Sequence, residues 1–288
     1  MRKIWLYSLL IFTSIACSDN QSLPDGFDGP DSEEEKSYGA NNDGESKLSE
    51  LKVMTYNIHA ANPPVESGIC DLSAVADVIN ASDPDIVFLQ EVDKNTGRNS
   101  YFGNQAKELS KLIQMNYQFF PAIIYKSGYY GIAILSRFPL SDDQKYELPN
   151  ETGFEQRVLG STLVDLPGID SVRVACTHLQ NSSASNRIAQ IEKVVELLSD
   201  ESVPVIIGGD FNEKPTTEQF FSIFDNAFIR TCLGTECPYT FSTANPSSTI
   251  DYLAFKPQDA FEITSHEVVN ETYASDHFPV MATFRFTR

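Results

Sequence analysis

Short apolar runs of β-strand length recur along this chain, and run after run stops at a polar side chain. LKVMTY leads to Asn57, IVFLQ to Glu91, SVRVACT to His178 and VPVIIGG to Asp210, while Asp251 opens the apolar stretch that follows it. A strand shows its side chains alternately to two faces, so a run that is apolar at nearly every position has to be covered on both. Such runs are too short to be core helices and need layers on either side. Their ends lie at the edge of a core, where polar groups from distant segments can meet.

The segments between the runs read as helices. Residues 71–80 start at the capping residue Asp71 and place Leu72, Val75, Ala76 and Ile79 on one face. Residues 104–115 turn Ala106, Leu109 and Leu112 inward, residues 185–198 carry Ile188, Ile191, Val195 and Leu198 at helical spacing, and a short helix is expected near 216–223. Strands are expected at 51–58, 86–89, 131–137, 157–164, 171–178, 203–208, 249–255, 261–269 and 278–286. Strands interleaved with helices, with several hairpins late in the chain, predict an α/β fold of two sheets packed face to face with helices outside.

The chain has 288 residues, 41% of them hydrophobic, which is ample for one large core. It opens with Arg2 and Lys3 and an apolar run from Leu6 to Ala16 that is too short for a comfortable membrane span. Ser14-Ile15-Ala16-Cys17 resembles a bacterial lipobox, although Ser14 stands where such boxes usually carry Leu. The resemblance implies a lipoprotein signal peptide over 1–17 and attachment to a lipid bilayer through acylated Cys17. The expected location is the outer membrane or cell surface of a Gram-negative-type bacterium. Residues 18–50, rich in Asp, Glu, Ser, Gly and Asn, read as a disordered acidic tether. Order is expected from Leu51 on.

Forty acidic residues against 21 basic ones give a net charge of −19. A field of that sign repels phosphate backbones, so long nucleic acid is not the expected partner, and the domain is expected to be monomeric. Cys232 and Cys237, close in sequence, are expected to form a small loop disulfide. Cys176, inside an apolar run, reads as a packed free thiol, and Cys70 has no assigned partner.

The polar ends carry the chemistry. TYNIH supplies Asn57, LQEVD supplies Glu91, GGDFN supplies Asp210 and Asn212 two residues apart, TIDY supplies Asp251, and SDHFP joins Asp276 to His277. Each alone is commonplace: an Asn near a strand end is usually a turn former, and a lone Asp–His pair is usually surface. Together they offer carboxylate and amide oxygens with imidazole, a set that suits magnesium or manganese rather than zinc.

In this order, TYNIH, LQEVD, GYYGIAILSRFP, THL, GGDFN, TIDY and SDHFP resemble the endonuclease/exonuclease/phosphatase superfamily over residues 51–288. That resemblance implies a four-layer α-β-β-α sandwich with two mixed sheets, and a Mg2+- or Mn2+-dependent phosphoric ester hydrolase. It implies metal-site roles for Asn57, Glu91 and Asp276, and positioning of water and phosphate by Asp210 and Asn212. His277 is the implied general base or electrostatic partner, oriented by Asp251, and His178 contacts phosphate. Arg157 resembles a phosphate-contacting arginine, and Tyr130 lies beside the cleft. His59 is read as a supporting or packing neighbour, and His266 is expected to be exposed. The expected substrate is a small, sugar-linked or lipid-linked phosphate ester. A secreted nuclease and a catalytically inactive binding lipoprotein are the alternatives.

Overall fold

The computed structural model describes residues 37–39, 44–168 and 170–287. The expected signal peptide, Cys17 and most of the tether lie outside the described residues.

Two six-stranded mixed sheets form the centre. The first runs in the order β11 (Phe261–Val268), β12 (Val280–Phe286), β1 (Glu50–Asn57), β2 (Ile86–Lys94), β4 (Gly128–Ser136) and β3 (Asn116–Tyr125). The second runs β5 (Leu140–Glu147), β6 (Val158–Leu166), β7 (Asp170–His178), β8 (Val205–Asp210), β10 (Asp251–Lys256) and β9 (Ile229–Arg230). Two pairs are parallel, β1 with β2 and β7 with β8, one at the heart of each sheet; the remaining pairings are antiparallel.

Strand alternation builds the layers. Leu51, Val53, Ile86 and Phe88 face inward and share one core with Val174, Ile206 and Leu253 of the opposite sheet. Their neighbours Met54, Tyr56, Val87 and Leu89 face outward, under α1 (Leu72–Ser82) and α2 (Gln105–Ile113). On the other side Val205, Ile207 and Ala254 lie under α3 (Ala184–Leu197) and α4 (Glu218–Phe224). The result is the four-layer α-β-β-α sandwich, and it explains why the central strands are apolar at nearly every position. The starts of α1, α2 and α3 are capped by side chains: Asp71, Asn104 and Ser183 accept from the backbone N–H groups of Ala74, Lys107 and Asn186.

Three local expectations are corrected. Edge strands β3 and β5 are not among the expected strands: β5 (LSDDQKYE) has no apolar run, and the apolar run of β3 (FFPAII) is interrupted by Pro121, a residue sheets admit mainly at their edges. In α2 the inward stripe is Ala106, Leu109 and Ile113, and Leu112 is turned out. Order also begins before Leu51. Glu50 already pairs with Arg285, Leu48 packs on the inter-sheet core, and Tyr38 exchanges hydrogen bonds with the side chain of Asn116.

Candidate active site

The parallel pairs bring their C-terminal strand ends to one rim. In the second sheet His178, Asp210 and Asp251 stand in a row across β7, β8 and β10, because His178 is in register with Asp210 and Asp210 with Asp251. In the first sheet Asn57 is in register with Gln90. The two ends touch across the sandwich: the amide N–H of Asn57 donates to Asp210 Oδ2 at 3.1 Å and to Glu91 Oε1 at 3.3 Å.

Local backbone geometry aims these groups. The β2–β4 register breaks between Leu89 and Val92, and within that break Glu91 has φ +56°. A bulge of this kind re-aims a side chain that strict alternation would send into a layer. Gln90 turns inward, donating to Thr55 Oγ1 and to the Cys176 sulfur, while Glu91 reaches the rim. At the end of β8 a side chain at Gly208 would collide with Phe88 and Leu253, and a Cβ at Gly209 would lie 2.0 Å from the carbonyl oxygen of Thr177. The glycine pair therefore lets β8 run close to both neighbours just before Asp210.

His277 is buried and lies between two carboxylates. Its Nδ1 is 3.0 Å from Asp251 Oδ2, and its Nε2 is 3.7 Å from Asp210 Oδ2. The Phe241 ring packs on it at 4.7 Å between centroids. Thr240, next to Phe241, accepts from the backbone N–H groups of Ile250 and Asp251, so one strap supports both members of the pair. Burial pulls the His277 pKa down, but Asp251 by charge and hydrogen bond, then Asp210 and Asp276, push it up to about 10. Asp210 shifts upward, chiefly from burial and then from the charge of Asp251, with His277 opposing. His178, 3.5 Å from Asp210 Oδ2 through Nε2, moves the other way: burial, then Arg157 and His277, hold it well below the usual imidazole value. The site thus pairs a protonated imidazole with a neutral one across a carboxylate that is costly to ionise.

Asn212, at φ +51°, returns its backbone N–H to Asp210 Oδ1 at 2.8 Å and donates its amide to the Leu179 carbonyl. Arg157 is buried, with one guanidinium nitrogen 3.1 Å from Glu155 and its Nε unpartnered. His178 Nδ1 is likewise buried without a partner. Tyr130 is buried, its hydroxyl pushed up by burial and by Glu91, with Arg157 and Arg98 opposing.

The structure joins Asn57, Glu91, His178, Asp210, Asn212, Asp251 and His277 in one contact network, with Arg157 and Tyr130 flanking it. Three expectations differ. Asn57 aims its amide nitrogen, rather than its oxygen, at the carboxylates, because its Oδ1 accepts the His59 backbone N–H at 3.1 Å. Asp276 faces His59, with 3.8 Å between Oδ1 and Nδ1, and so stands beside the network rather than within it. His266 is half-buried rather than exposed, its Nδ1 2.9 Å from Thr231 Oγ1, and lies outside the site. Phe241, Thr240 and Ser275 were missed. Ser275 donates to the Asn57 carbonyl at 2.7 Å and accepts from His277 N–H. Hydroxyls and a phenyl ring in a loop carry no spacing signal that would have found them.

A divalent cation fits this donor set. Asp210, Asp251 and His277 offer ligand atoms within 4.8 Å of one another, all buried. Asp210 is buried beside the charge of Asp251, and both raise its pKa, a cost that a cation would relieve. His277 already occupies both oxygens of Asp251, however, so Glu91, half-buried and bonded only at Oε1 by Asn57 among the contacts above, is the better-placed oxygen donor.

Known proteins place this architecture. A family model described as Endonuclease/Exonuclease/phosphatase family matches residues 54–277. The uncharacterized protein YbhP of Escherichia coli is 25% identical over 252 residues, covering 81% of this chain and 95% of its own. A solved endonuclease/exonuclease/phosphatase from Beutenbergia cavernae superposes with a TM-score of 0.72 at 26% identity, covering 83% of this chain and 72% of that one. A mannosyl-6-phosphatase of Bacteroides thetaiotaomicron shares the fold, with a TM-score of 0.63 at 17% identity, over 82% of this chain and 100% of that one.

Proposed function

This chain belongs to the Endonuclease/Exonuclease/phosphatase family, a family of phosphoester hydrolases generally dependent on divalent metal, and from that premise we propose that it is an extracytoplasmic hydrolase of small, sugar-linked or lipid-linked phosphate esters. The observation that carries the reading is the single network formed by strand ends of both sheets: Asn57 and Glu91 from one, His178, Asp210 and Asp251 from the other, with His277 between the two carboxylates.

In this reading Glu91, with Asp210 beside it, holds magnesium or manganese. The cation, when bound, offsets charge on the phosphoryl oxygens and makes water easier to deprotonate. Asp210, fixed by the N–H groups of Asn212 and Asn57, orients the attacking water and takes its proton, a task suited to a carboxylate whose pKa is raised. Asp251 keeps His277 charged, so His277 serves as an electrostatic partner to the phosphorane-like transition state rather than as the base. Neutral His178 and the buried Arg157 supply hydrogen bonds to the phosphate from the opposite side.

Substrate size follows from charge. A duplex contact needs several Lys or Arg to displace counterions. The rim loops offer mainly Lys94, Arg98, Arg187 and Lys214, too few to line a duplex contact. A small ester needs only the network above. That the structural neighbour from Bacteroides thetaiotaomicron is a mannosyl-6-phosphatase supports sugar phosphates as the first class to try. Export is supported by the lipobox-like start of the sequence and by the Cys232–Cys237 disulfide, a bond kept in oxidising compartments.

The test is a panel of sugar phosphates, inositol phosphates, a sphingomyelin and duplex DNA, at about 0.15 M salt, where unneutralised phosphate contacts are weak. Hydrolysis is expected to stop with a chelator and return with magnesium or manganese, with a small ester best. Full activity in excess chelator would overturn the metal reading. A kcat/KM on DNA above that on every small ester would make this an exported nuclease.

A further inference from the structure

Past Glu91, β2 continues to the buried Asp93, and the chain then turns through residues 95–103. Asn95, Gly97, Asn99 and Ser100 in this turn all have positive φ. For a residue other than glycine that conformation is disfavoured and persists where the surroundings impose it. What the turn presents is Arg98. Its Nε donates to Asp93 Oδ2 at 2.7 Å and its Nη2 to Oδ1 at 2.9 Å. Thr96 Oγ1 donates to the same carboxylate at 2.9 Å. The guanidinium carbon lies 5.2 Å from the ring centroids of both Tyr125 and Tyr130. One edge of the guanidinium is thereby fixed and two tyrosine rings lie close to it, yet the side chain keeps 23% exposure and Nη1 takes no part in the Asp93 fork.

Arg98 sits on the catalytic rim. Asp93 is in register with Tyr130 across β2 and β4. The Tyr130 hydroxyl feels Glu91, Arg157 and Arg98 together, and the charge of Glu91 reaches Arg98 itself. Two cations therefore flank Tyr130, and only Arg157 is used by the chemistry described above. A guanidinium ordered in advance loses little freedom when it binds an anion, and its planar fork suits phosphate or carboxylate.

We propose that Arg98, held by Asp93 and packed near Tyr125 and Tyr130, is a specificity-determining subsite for a second anionic group of the substrate, a phosphate or a carboxylate carried on the same small molecule as the scissile ester. This rests on the reading of the rim as a phosphate-ester site. Glu91 lies within β2 and Arg98 in the turn that follows it, paired to Asp93 of the same strand. A hexose bisphosphate carries one phosphate for hydrolysis and a second anion for Arg98, so it is the matching ligand, and a monophosphate is not.

The probes are fructose 1,6-bisphosphate and fructose 6-phosphate, titrated with magnesium into the full chain carrying Asp210→Ala so that turnover does not blur binding. The bisphosphate is expected to bind about tenfold more tightly or better, the scale of one charge-assisted fork. Adding Arg98→Gln is expected to bring the two affinities to within about twofold. Because Arg98→Gln leaves a buried carboxylate unpaired, the Asp93→Asn, Arg98→Gln pair is tested alongside and is expected to give the same loss in a folded protein. Equal affinities before Arg98 is changed, or a preference that survives in the doubly neutralised protein, overturn the subsite. If the unaltered enzyme hydrolyses no phosphate ester while the Arg98-dependent preference holds, the proposed activity fails and the anion subsite stands.

Discussion

At the scale of single residues, the rim is an arrangement of opposed pKa shifts. His277 is held charged by Asp251 against the pull of burial, while burial itself, with Arg157 adding to it, holds His178 neutral. Losing Asp251 reverses the balance at His277. In metal-free protein, Asp251→Asn is expected to drop the His277 pKa from about 10 to below its ordinary value, because only burial and the weaker Asp210 and Asp276 attractions remain. Ring resonances followed by NMR against pH read this directly, and an unchanged titration would remove Asp251 as the cause. The same shift sets a pH dependence of stability. A raised folded-state pKa contributes stability that is fully present below pH ~6.5 and is lost as pH rises through the folded value. Unfolding midpoints of the parent protein should therefore decline across that interval more than those of Asp251→Asn. For turnover, His277→Ala and Asp210→Ala are each expected to lower kcat by about a hundredfold or more, as when a general base or a charge-stabilising group is lost. His266→Ala, outside the site, should leave kcat unchanged. A parental rate in His277→Ala would take that residue out of the mechanism.

At the scale of elements, the site depends on backbone irregularities at strand ends. The bulge at Glu91 and the left-handed residues His59, Ala60 and Ala61 just after Asn57 interrupt regular structure where side chains must be aimed. Gly209 does the same job by absence, since β8 passes so close to Thr177 that no Cβ fits. Gly209→Ala must push β7 and β8 apart beside both His178 and Asp210. The expected cost is about 1–3 kcal/mol, typical of forced overpacking, together with a fall in kcat larger than any change in KM. Urea midpoints and steady-state kinetics measure the two effects. A variant with parental stability and rate would show that the strands yield without disturbing the rim. These irregularities were only partly legible beforehand. The Gly-Gly of GGDFN marks a close approach, whereas nothing in LQEVD says that the ladder breaks at Glu91 rather than continuing, because a bulge is set by how two strands pair.

At the scale of the whole molecule, the acidic charge argues for small substrates and the N-terminal sequence for export. Residues 18–48 carry nine acids and two lysines, a net of −7, so most of the −19 belongs to the remainder of the chain. If Cys17 is the anchor, Cys17→Ser should abolish lipid labelling and release the protein from membranes, since the acyl chains are what hold it there. Membrane fractionation with a radiolabelled acyl donor checks this, and unchanged attachment would favour an anchor other than Cys17.

The sequence by itself determined the layers and the ends of the central strands. Apolar runs covered on both faces require a sandwich, and the polar residue that closes or opens a run must sit at its rim, so the positions of Asn57, His178, Asp210 and Asp251 follow from local pattern, whereas Glu91 stands inside β2, which runs on to Lys94. Edge strand β5 escaped because it faces solvent and needs no apolar pattern, and edge strand β3 because Pro121 sits in the middle of its apolar run. Only the tertiary structure decided which way the end groups turn. Asn57 shows its nitrogen to the carboxylates because the His59 N–H claims its oxygen, and Asp276 leaves its neighbour His277 to face His59. Those choices depend on hydrogen-bond partners brought together from distant parts of the chain, and such partners exist only once the two sheets have closed on each other.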